Sequence, residues 1–207
     1  MGIQFYTDIY ISRNGIIMII LASQSPRRRE LLKLIFSEFE VRPTGIDENS
    51  AERVPWRRVL DIAERKARAA YSGNDKDIII SADTTVVLDG DFLEKPQDDA
   101  DARRIIKLLS GRTHTVYTGV CVLAYGGQYS FYEETKVTFY RLSDDEIDAY
   151  IACGEGRDKA GAYGIQGKGA LLVRCIDGDL YNVIGLPVAH LARMLYSIDG
   201  AFRLFEG

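Results

Sequence analysis

Two kinds of apolar pattern alternate along the chain. Residues 18–22 and 77–85 contain unbroken runs rich in isoleucine, which are typical of strands covered on both faces in a parallel or mixed sheet. Elsewhere apolar residues recur at helical spacing. The helices predicted from this spacing cover residues 26–35, 55–70, 98–110, 143–151 and 187–195. Further strands are predicted over residues 38–43, 86–93, 113–124, 128–140, 171–176 and 180–184.

Strands that alternate with helices in this order predict an α/β fold, with a largely central, mixed and twisted sheet flanked by helices. Turn signals at Asp89-Gly90, residues 125–127 and Asp177-Gly178 predict three hairpins. With 207 residues, of which 46% are apolar, the chain can bury one substantial core. We therefore expect a single domain over residues 18–207, and we expect residues 1–17 to be an extension that the fold does not need.

Composition and charge exclude several classes of protein. The net charge is −4, and no basic stretch is interleaved with aromatic residues, so a long nucleic acid is not expected as a ligand. No apolar run has the length of a membrane span or of a signal peptide. Three widely spaced cysteines and two lone histidines fit neither a disulfide framework nor a zinc site. These features favour a reducing cytoplasm.

Residues 21–32 form the most informative joint between a strand and a helix. Ser25 suits the N-cap position and Pro26 the first helical position. Three arginines, Arg27, Arg28 and Arg29, then occupy the first turn, where the helix dipole is already positive. A polyphosphate would relieve that repulsion through hydroxyls, amides and guanidinium groups. The alternative is a basic helix start that is simply solvated.

Four more charged residues are candidates, and three of them, Glu48, Lys66 and Lys95, have a structural alternative. Asp83 follows a strongly apolar strand, near the edge where open α/β sheets bind ligands. Glu48 lies in a polar loop, where it could face a metal or water. Lys66 lies beside the apolar stripe of its helix, from which its ammonium could simply reach solvent. Lys95 follows the Asp89-Gly90 hairpin, which would return it towards Asp83, or it is a surface lysine before a proline.

Residues 158–169 are rich in glycine but do not match a Walker phosphate loop. The segment misses the G-x-x-x-x-G-K-[ST] pattern by one residue and carries Gly169 in place of the hydroxyl residue. Its glycines permit close approach of the backbone to a ligand, and Gln166 offers both a donor and an acceptor for the edge of a base. A tight structural loop is the alternative.

Taken together and in order, these segments resemble the Maf family of nucleoside triphosphate pyrophosphatases, also associated with inhibition of septum formation. The resemblance runs from residue 18 to about residue 196. It rests on the joint occurrence of LASQSPRR (21–28), IDE (46–48), ERKA (64–67), ADT (82–84), EKP (94–96), SGRTHTVYTG (110–119), KAGAYGIQG (159–167) and GLP (185–187). Each segment alone would be a weak signal.

The resemblance implies two lobes around a cleft, as in Maf and ITPase-like proteins, and often a homodimer. It implies hydrolysis of a nucleoside triphosphate to the monophosphate and pyrophosphate with a divalent cation, Mg²⁺ or Mn²⁺. Asp83 maps to the general base, and Arg27, Thr84 and Gln166 map to positions associated with substrate choice. The subgroup that carries these residues prefers dTTP and UTP, and modified pyrimidine nucleotides belong to the same expectation.

The chemistry of that reaction assigns the remaining candidates. Attack of water on the α-phosphorus needs positive charge and hydroxyls around the β- and γ-phosphates. The phosphate-binding candidates are Ser23, Ser25, Arg28, Lys66 and Lys95, together with Arg27. Glu48 and Asp83 are the metal-binding candidates. The alternative function is a nucleotide-binding regulator of cell division and septum formation that turns nothing over.

Overall fold

A computed structural model of the protein describes residues 9–12 and 15–200, with side chains from residue 17 onwards. Its strands are β1 (Ile9–Ser12), β2 (Gly15–Leu21), β3 (Glu40–Val41), β4 (Ile78–Leu88), β5 (Asp91–Leu93), β6 (Thr113–Ala124), β7 (Gly127–Phe139) and β8 (Val173–Asp177). Its helices are α1 (Pro26–Leu32), α2 (Pro55–Ala70), α3 (Asp99–Leu109), α4 (Asp144–Ala152), α5 (Leu180–Ile184) and α6 (Val188–Ile198), with short 3₁₀ helices at Ala160–Ala162 and Lys168–Leu172.

The strands form one mixed sheet in the order β1-β2-β4-β6-β7-β8, with β3 paired to β2 and β5 paired to β4. β2 runs parallel to β3 and β4, and its residues Ile19 and Leu21 pair with Ile78 and Ile80. β1, β5 and β8 pair antiparallel with β2, β4 and β7. The predicted α/β fold with a mixed sheet flanked by helices is confirmed.

Contacts along the chain define two compact units, and the strands β4, β6 and β7 contribute residues to both. The first unit contains residues 1–83, 119–132 and 186–207, and the second contains residues 84–118 and 133–185. A core cluster of the first unit joins β2, α2, β4 and β6 through Ile20, Ala22, Ala63, Ala67, Ala70, Ile79 and Cys121. The core cluster of the second unit includes Val86, Leu93, Ile105, Ile106, Val116, Val137, Phe139, Ile147 and Tyr163.

Local sequence signals account for most element boundaries. The side chain of Ser25 caps α1 by accepting from the amide of Arg28, Asp98 caps α3, and Ser143 and Glu146 form a capping box at α4. At the β4–β5 turn Asp89 and Gly90 both have positive φ, of 53° and 91°. Positive φ at both central residues is what a two-residue hairpin turn needs.

Residues 180–184 were expected to return as a strand, and this expectation is wrong, because they form the short helix α5. Asp179 accepts a hydrogen bond from the amide of Tyr181 at 2.8 Å, which starts a helical turn instead of a strand. The polar side chain of Asn182 is then fully buried, where it donates to the carbonyl oxygen of Val116 at 3.0 Å.

The extension predicted over residues 1–17 lies partly outside the described residues. Within the described part, β1 pairs antiparallel with β2, and Ile17 is 1% exposed in the core. That the fold can do without residues 1–17 stays a prediction. No helix among the described residues combines the length and apolarity that crossing a membrane requires.

Candidate active site

The candidate site of the first unit starts from the packing of α2 on the sheet. The hydroxyl of Ser81 on β4 donates to the carbonyl oxygen of Ala63 on α2 at 2.6 Å. Alternate residues of a strand share one face, and residues three apart share one face of a helix. The contact therefore brings Asp83, two residues after Ser81, close to Lys66, three residues after Ala63.

Gly119 on β6 allows this packing. A Cβ atom at position 119 would lie 2.6 Å from the carbonyl carbon of Val59 and 2.8 Å from the amide nitrogen of Leu60, both on α2. Real Cβ atoms do not approach main-chain atoms so closely, so any side chain at this position would move the helix. α2 thus packs on the sheet backbone to backbone.

Lys66 and Asp83 form a buried ion pair. The ammonium nitrogen of Lys66 lies 2.8 Å from Oδ1 of Asp83, and the two residues are 6% and 9% exposed. The alternative that the ammonium reaches solvent is therefore wrong. Asp83 also does not end its strand, because β4 continues to Leu88. The parallel pairing with β2 stops at Ile80, and β4 then pairs with β5, so Asp83 lies where the strand changes partner.

Glu48 binds the same lysine from a loop before α2. Its Oε1 lies 2.7 Å from Nζ of Lys66. The loop is tied to α2 by Arg65, whose guanidinium donates to the carbonyl oxygens of Asp47 at 2.7 Å and Asn49 at 2.8 Å. The loop is therefore fixed on both sides of Glu48, and a carboxylate that could have faced only water points at Lys66.

Arg28 adds a second cation to this group of charges. Packing around its guanidinium lowers the pKa of Arg28, whereas the negative charges of Asp83 and Glu48 act in the opposite direction and Arg27 adds to the lowering. Arg28 is therefore within electrostatic reach of both carboxylates. We call Arg28, Glu48, Lys66 and Asp83 the charged cluster.

Ser23 and Ser25 shape the turn that delivers these arginines. The hydroxyl oxygen of Ser23 accepts from the amide of Ser25 at 3.1 Å, and that of Ser25 accepts from the amide of Arg28 at 3.4 Å. Each hydroxyl keeps its hydrogen for another acceptor. Both serines thus define the backbone at the start of α1 while remaining able to donate to an anion.

The carboxylates of Glu48 and Asp83 fit a divalent cation that is shared with a ligand. Since both bind one nitrogen atom, their oxygens converge within the reach of a single positive charge. Mg²⁺ in proteins commonly takes one or two carboxylates, with waters and substrate phosphates completing its octahedron. Among residues 9–12 and 15–200, no three histidine, cysteine, aspartate or glutamate side chains gather into a cage. The two carboxylates therefore suit a cation whose remaining ligands are waters and the phosphates of a bound substrate.

The other predicted site residues, Thr84, Lys95 and Gln166, belong to the second unit. Thr84 is half-buried on β4, whereas Lys95 is exposed after β5 and Gln166 is exposed between the two 3₁₀ helices. The structure thus places these three on separate segments of that unit. Their roles in substrate binding stay predictions.

The segment that carries Gln166 is anchored at several points, as the alternative of a tight structural loop requires. The hydroxyl of Tyr150 accepts from the amide of Gly164 at 3.1 Å. The carboxylate of Glu155 accepts from the amides of Lys168 at 3.0 Å and Gly169 at 3.2 Å, and the first of these bonds is the main cause of its lowered pKa. Gln166 is therefore exposed on a fixed backbone.

Sequence reasoning missed two residues that position these candidates. Arg65 was given no role, yet it holds the loop of Glu48. Glu155 was given no role, yet it holds the backbone next to Gln166. A weak signal existed for Glu155, since it stands between two glycines just before the glycine-rich segment. Nothing in the helical pattern distinguishes Arg65 from its exposed neighbours.

Comparison with known proteins identifies first the class of fold and then the family. The structure is similar to that of a HAM1 protein from Coxiella burnetii, with a TM-score of 0.50 and 16% sequence identity over 86% of this chain and 98% of that chain. This likeness defines the α/β fold alone. The family model described as "Maf-like protein" matches residues 18–198, and the chain belongs to that family.

Curated relatives agree over most of the chain. A protein of Bacillus cereus named dTTP/UTP pyrophosphatase is 47% identical, over 87% of this chain and 96% of its own length. A protein of Bacillus cytotoxicus with the same name is 48% identical, over 87% of this chain and 95% of its own length. The resemblance to the Maf family that the motifs indicate is thereby confirmed.

Proposed function

We propose that this protein hydrolyses dTTP and UTP, and modified pyrimidine nucleotides of the same kind, to the nucleoside monophosphate and pyrophosphate. The observation that carries the proposal is the charged cluster, in which Glu48 and Arg28 add a carboxylate and a cation to the buried ion pair of Lys66 and Asp83. The names and the high identity of the Bacillus relatives support the choice of reaction and substrates. They do not favour the alternative of a septation regulator without turnover.

In the proposed reaction a water molecule attacks the α-phosphorus. A new bond forms between the water oxygen and phosphorus, while the bond from phosphorus to the oxygen that bridges to the β-phosphate breaks. Pyrophosphate leaves with that electron pair, and a carboxylate oxygen of Asp83 takes the proton of the water. The ion pair with Lys66 holds the carboxylate of Asp83 in place.

The cations of the site have a second role in this proposal. Negative charge accumulates on the leaving pyrophosphate, and fixed positive groups in a partly buried site stabilise it strongly. Arg28 and Lys66 are placed to do so, and Ser23, Ser25 and Lys95 complete the proposed phosphate-binding set. A divalent cation held by Glu48 and Asp83 would supply further charge neutralisation as a Lewis acid.

Three further residues are proposed to choose the nucleotide, namely Arg27, Thr84 and Gln166. Gln166 carries both a donor and an acceptor, which matches the edge of uracil or thymine. We also propose that the enzyme acts in the cytoplasm as a homodimer that removes unwanted nucleotides from the pool.

Hydrolysis in ¹⁸O-labelled water tests the reaction directly. With UTP and Mg²⁺ we expect UMP and pyrophosphate, and we expect the label in the phosphate of UMP, since the attack occurs at the α-phosphorus. Mass spectrometry of the separated products gives the answer. Label in pyrophosphate, or release of orthophosphate and UDP, would contradict the proposal.

A further inference from the structure

A chain of hydrogen bonds in the second unit ends on Thr84. Its Oγ1 lies 2.9 Å from Oγ1 of Thr118 on β6. Oγ1 of Thr118 in turn lies 2.9 Å from the main-chain carbonyl oxygen of Asn182 on α5. Thr118 and Asn182 are fully buried, so water does not compete for these bonds. We call Thr84, Thr118 and Asn182 the hydroxyl relay.

The direction of each bond in the hydroxyl relay follows from counting hydrogens. A carbonyl oxygen only accepts, and a threonine hydroxyl has one hydrogen to donate. Thr118 therefore donates to Asn182, and it must accept from Thr84. In the reverse order two oxygen lone pairs would face each other at 2.9 Å in a buried site, which is costly.

The far end of the hydroxyl relay is held firmly in place. α5 is a helix of five residues, and the last carbonyl groups of a helix lack partners within it. Thr118 supplies the partner for Asn182. The side chain of Asn182 is fixed as well, since its Nδ2 donates to the carbonyl oxygen of Val116 at 3.0 Å and to the hydroxyl of Thr135 at 2.8 Å. The acceptor that takes the hydrogen of Thr118 therefore cannot rotate away.

The consequence falls on Thr84, whose one hydroxyl hydrogen is committed to Thr118. Towards any ligand, Thr84 can then only accept a hydrogen bond. The ring nitrogen N3 of uracil and thymine carries a hydrogen, whereas N3 of cytosine carries a lone pair. UTP and CTP have the same ribose and the same triphosphate. A residue that prefers UTP to CTP must therefore recognise the base.

We infer that Thr118 is a positioning residue for substrate choice: it fixes Thr84 as a pure acceptor that takes the N3–H of uracil or thymine and repels cytosine. This inference rests on the proposed function and deepens it. It also explains how a hydroxyl, which could otherwise serve donors and acceptors alike, can discriminate between bases.

Substitution of Thr118 tests the relay, with kcat/KM for UTP and CTP as the measurement. Thr118→Val keeps the shape but removes the acceptor, so Thr84 can turn its hydrogen towards N3 of cytosine. We expect the ratio of kcat/KM for UTP to that for CTP to fall on the order of 10-fold, the value of about one hydrogen bond. Thr118→Ser keeps the hydroxyl and should keep the ratio. If Thr118→Val does not fold, the comparison of Thr118→Ser with Thr118→Ala replaces it.

A double-mutant cycle separates positioning from general stability. Thr84→Val should itself lower the UTP to CTP ratio, and adding Thr118→Val should then change the ratio no further. Thr138→Val is the matched control, since Thr138 also pairs with another threonine, Thr113, at 2.8 Å. We expect this control to leave the ratio unchanged.

Binding of the non-hydrolysable α,β-methylene analogues of UTP and CTP separates this inference from the proposed function. A preference for the UTP analogue that Thr118→Val abolishes supports the relay, even if the wild-type protein hydrolyses neither triphosphate. Turnover of UTP with a ratio that Thr118→Val leaves intact overturns the relay alone. Equal falls of kcat/KM for both nucleotides would also overturn it, and binding of neither analogue would overturn both proposals.

Discussion

The charged cluster and the hydroxyl relay satisfy their polar atoms in opposite ways, although they contain consecutive residues of the chain. Asp83 is the last residue of a segment of the first unit, and Thr84 is the first residue of the second. The cluster balances full charges, with Lys66 bound to both Glu48 and Asp83. The relay contains no charge and orders neutral groups from Thr84 to Asn182.

The difference matches two physical tasks. Stabilising a leaving group that gains negative charge takes full charges, which act strongly where water is excluded. Telling one base from another takes hydrogen bonds of fixed direction, because uracil and cytosine are both neutral and have nearly the same shape. A positive charge in place of Thr84 would attract the phosphates of every nucleotide alike, whereas a hydroxyl of fixed direction can discriminate between bases.

The largest expected effect on the charged cluster is that of Asp83→Asn. The amide cannot take a proton from water, so we expect kcat for UTP to fall about 10³-fold with a smaller change in KM. Asp77→Asn is the matched control, because Asp77 is also a buried aspartate of the first unit, bonded to Asn74 at 2.9 Å. A variant of Asp83 that keeps a tenth of the wild-type rate would exclude it as the base.

The next largest effect is expected from Lys66→Met. The change leaves Glu48 and Asp83 facing each other without the cation that joins them, and it removes a charge from the phosphate site. We expect kcat/KM for UTP to fall roughly 100-fold, which steady-state kinetics measures. Lys76→Met, at an exposed lysine of the same unit, should have no effect. Wild-type kinetics in the Lys66 variant would contradict the role of the ion pair.

Acid stability tests whether the second unit depends on a neutral interior. His114 is buried against Tyr163, and burial lowers its pKa from 6.5 to about 4. The unfolded chain therefore takes up a proton at higher pH than the folded protein does, and stability is lost as the pH falls from about 6.5 to 4. The contribution of this group is about 3 kcal/mol.

Urea unfolding at pH 7 and pH 4.5 measures this contribution. In His114→Gln the side chain cannot titrate, so we expect the fall in unfolding free energy between the two pH values to be smaller than in the wild type by about 2 kcal/mol, since part of the effect is lost only below pH 4.5. His190→Gln serves as the control, at the one other histidine of the chain. The same pH dependence in the His114 variant and the wild type would show that His114 does not drive the acid transition.

A smaller effect is expected from Glu155→Gln. The glutamine can accept from only one of the two amides of Lys168 and Gly169, and its NH₂ group opposes the other. The backbone beside Gln166 then loosens, so we expect KM for UTP to rise about fivefold while kcat changes little. Asp158→Asn, at an exposed acid of the same segment, provides the comparison. If kcat falls and KM does not, Glu155 acts on the reaction and not on nucleotide binding.

The smallest effect concerns the predicted extension. Deletion of residues 1–14 removes β1 but leaves β2 whole, and we expect unchanged kinetics with UTP. Deletion of residues 1–17 also removes the buried side chain of Ile17, whose burial contributes about 2 kcal/mol. Thermal unfolding should therefore distinguish the two deletions. Loss of activity on deletion of residues 1–14 would show that the extension is needed.

Local rules predicted the parts of the fold that depend on neighbours in sequence. The cap at Ser25 and the hairpin at Asp89-Gly90 are both found where the sequence placed them. Residues 180–184 were assigned wrongly, because a five-residue apolar stretch fits a strand and a helical turn equally well. There the hydrogen bond that the side chain of Asp179 accepts from the amide of Tyr181 stabilises the helical turn.

The candidate site was predicted residue by residue from motifs, whereas its contacts needed coordinates. The sequence pointed to Glu48, Lys66 and Asp83, but the convergence of both carboxylates on one ammonium depends on Ser81 and Arg65. Long-range contacts of this kind leave no periodic trace. The role of Thr118 likewise follows only from the carbonyl group of Asn182, which lies 64 positions further along the chain.

The bare backbone of Gly119 has a consequence for how the protein can vary. Even a methyl group at this position would collide with the main chain of α2 at Val59. Because α2 carries Lys66 and holds the loop of Glu48, the collision would be felt in turnover. In a saturation library screened for activity, position 119 should therefore tolerate no replacement, as strictly as a position that performs the chemistry.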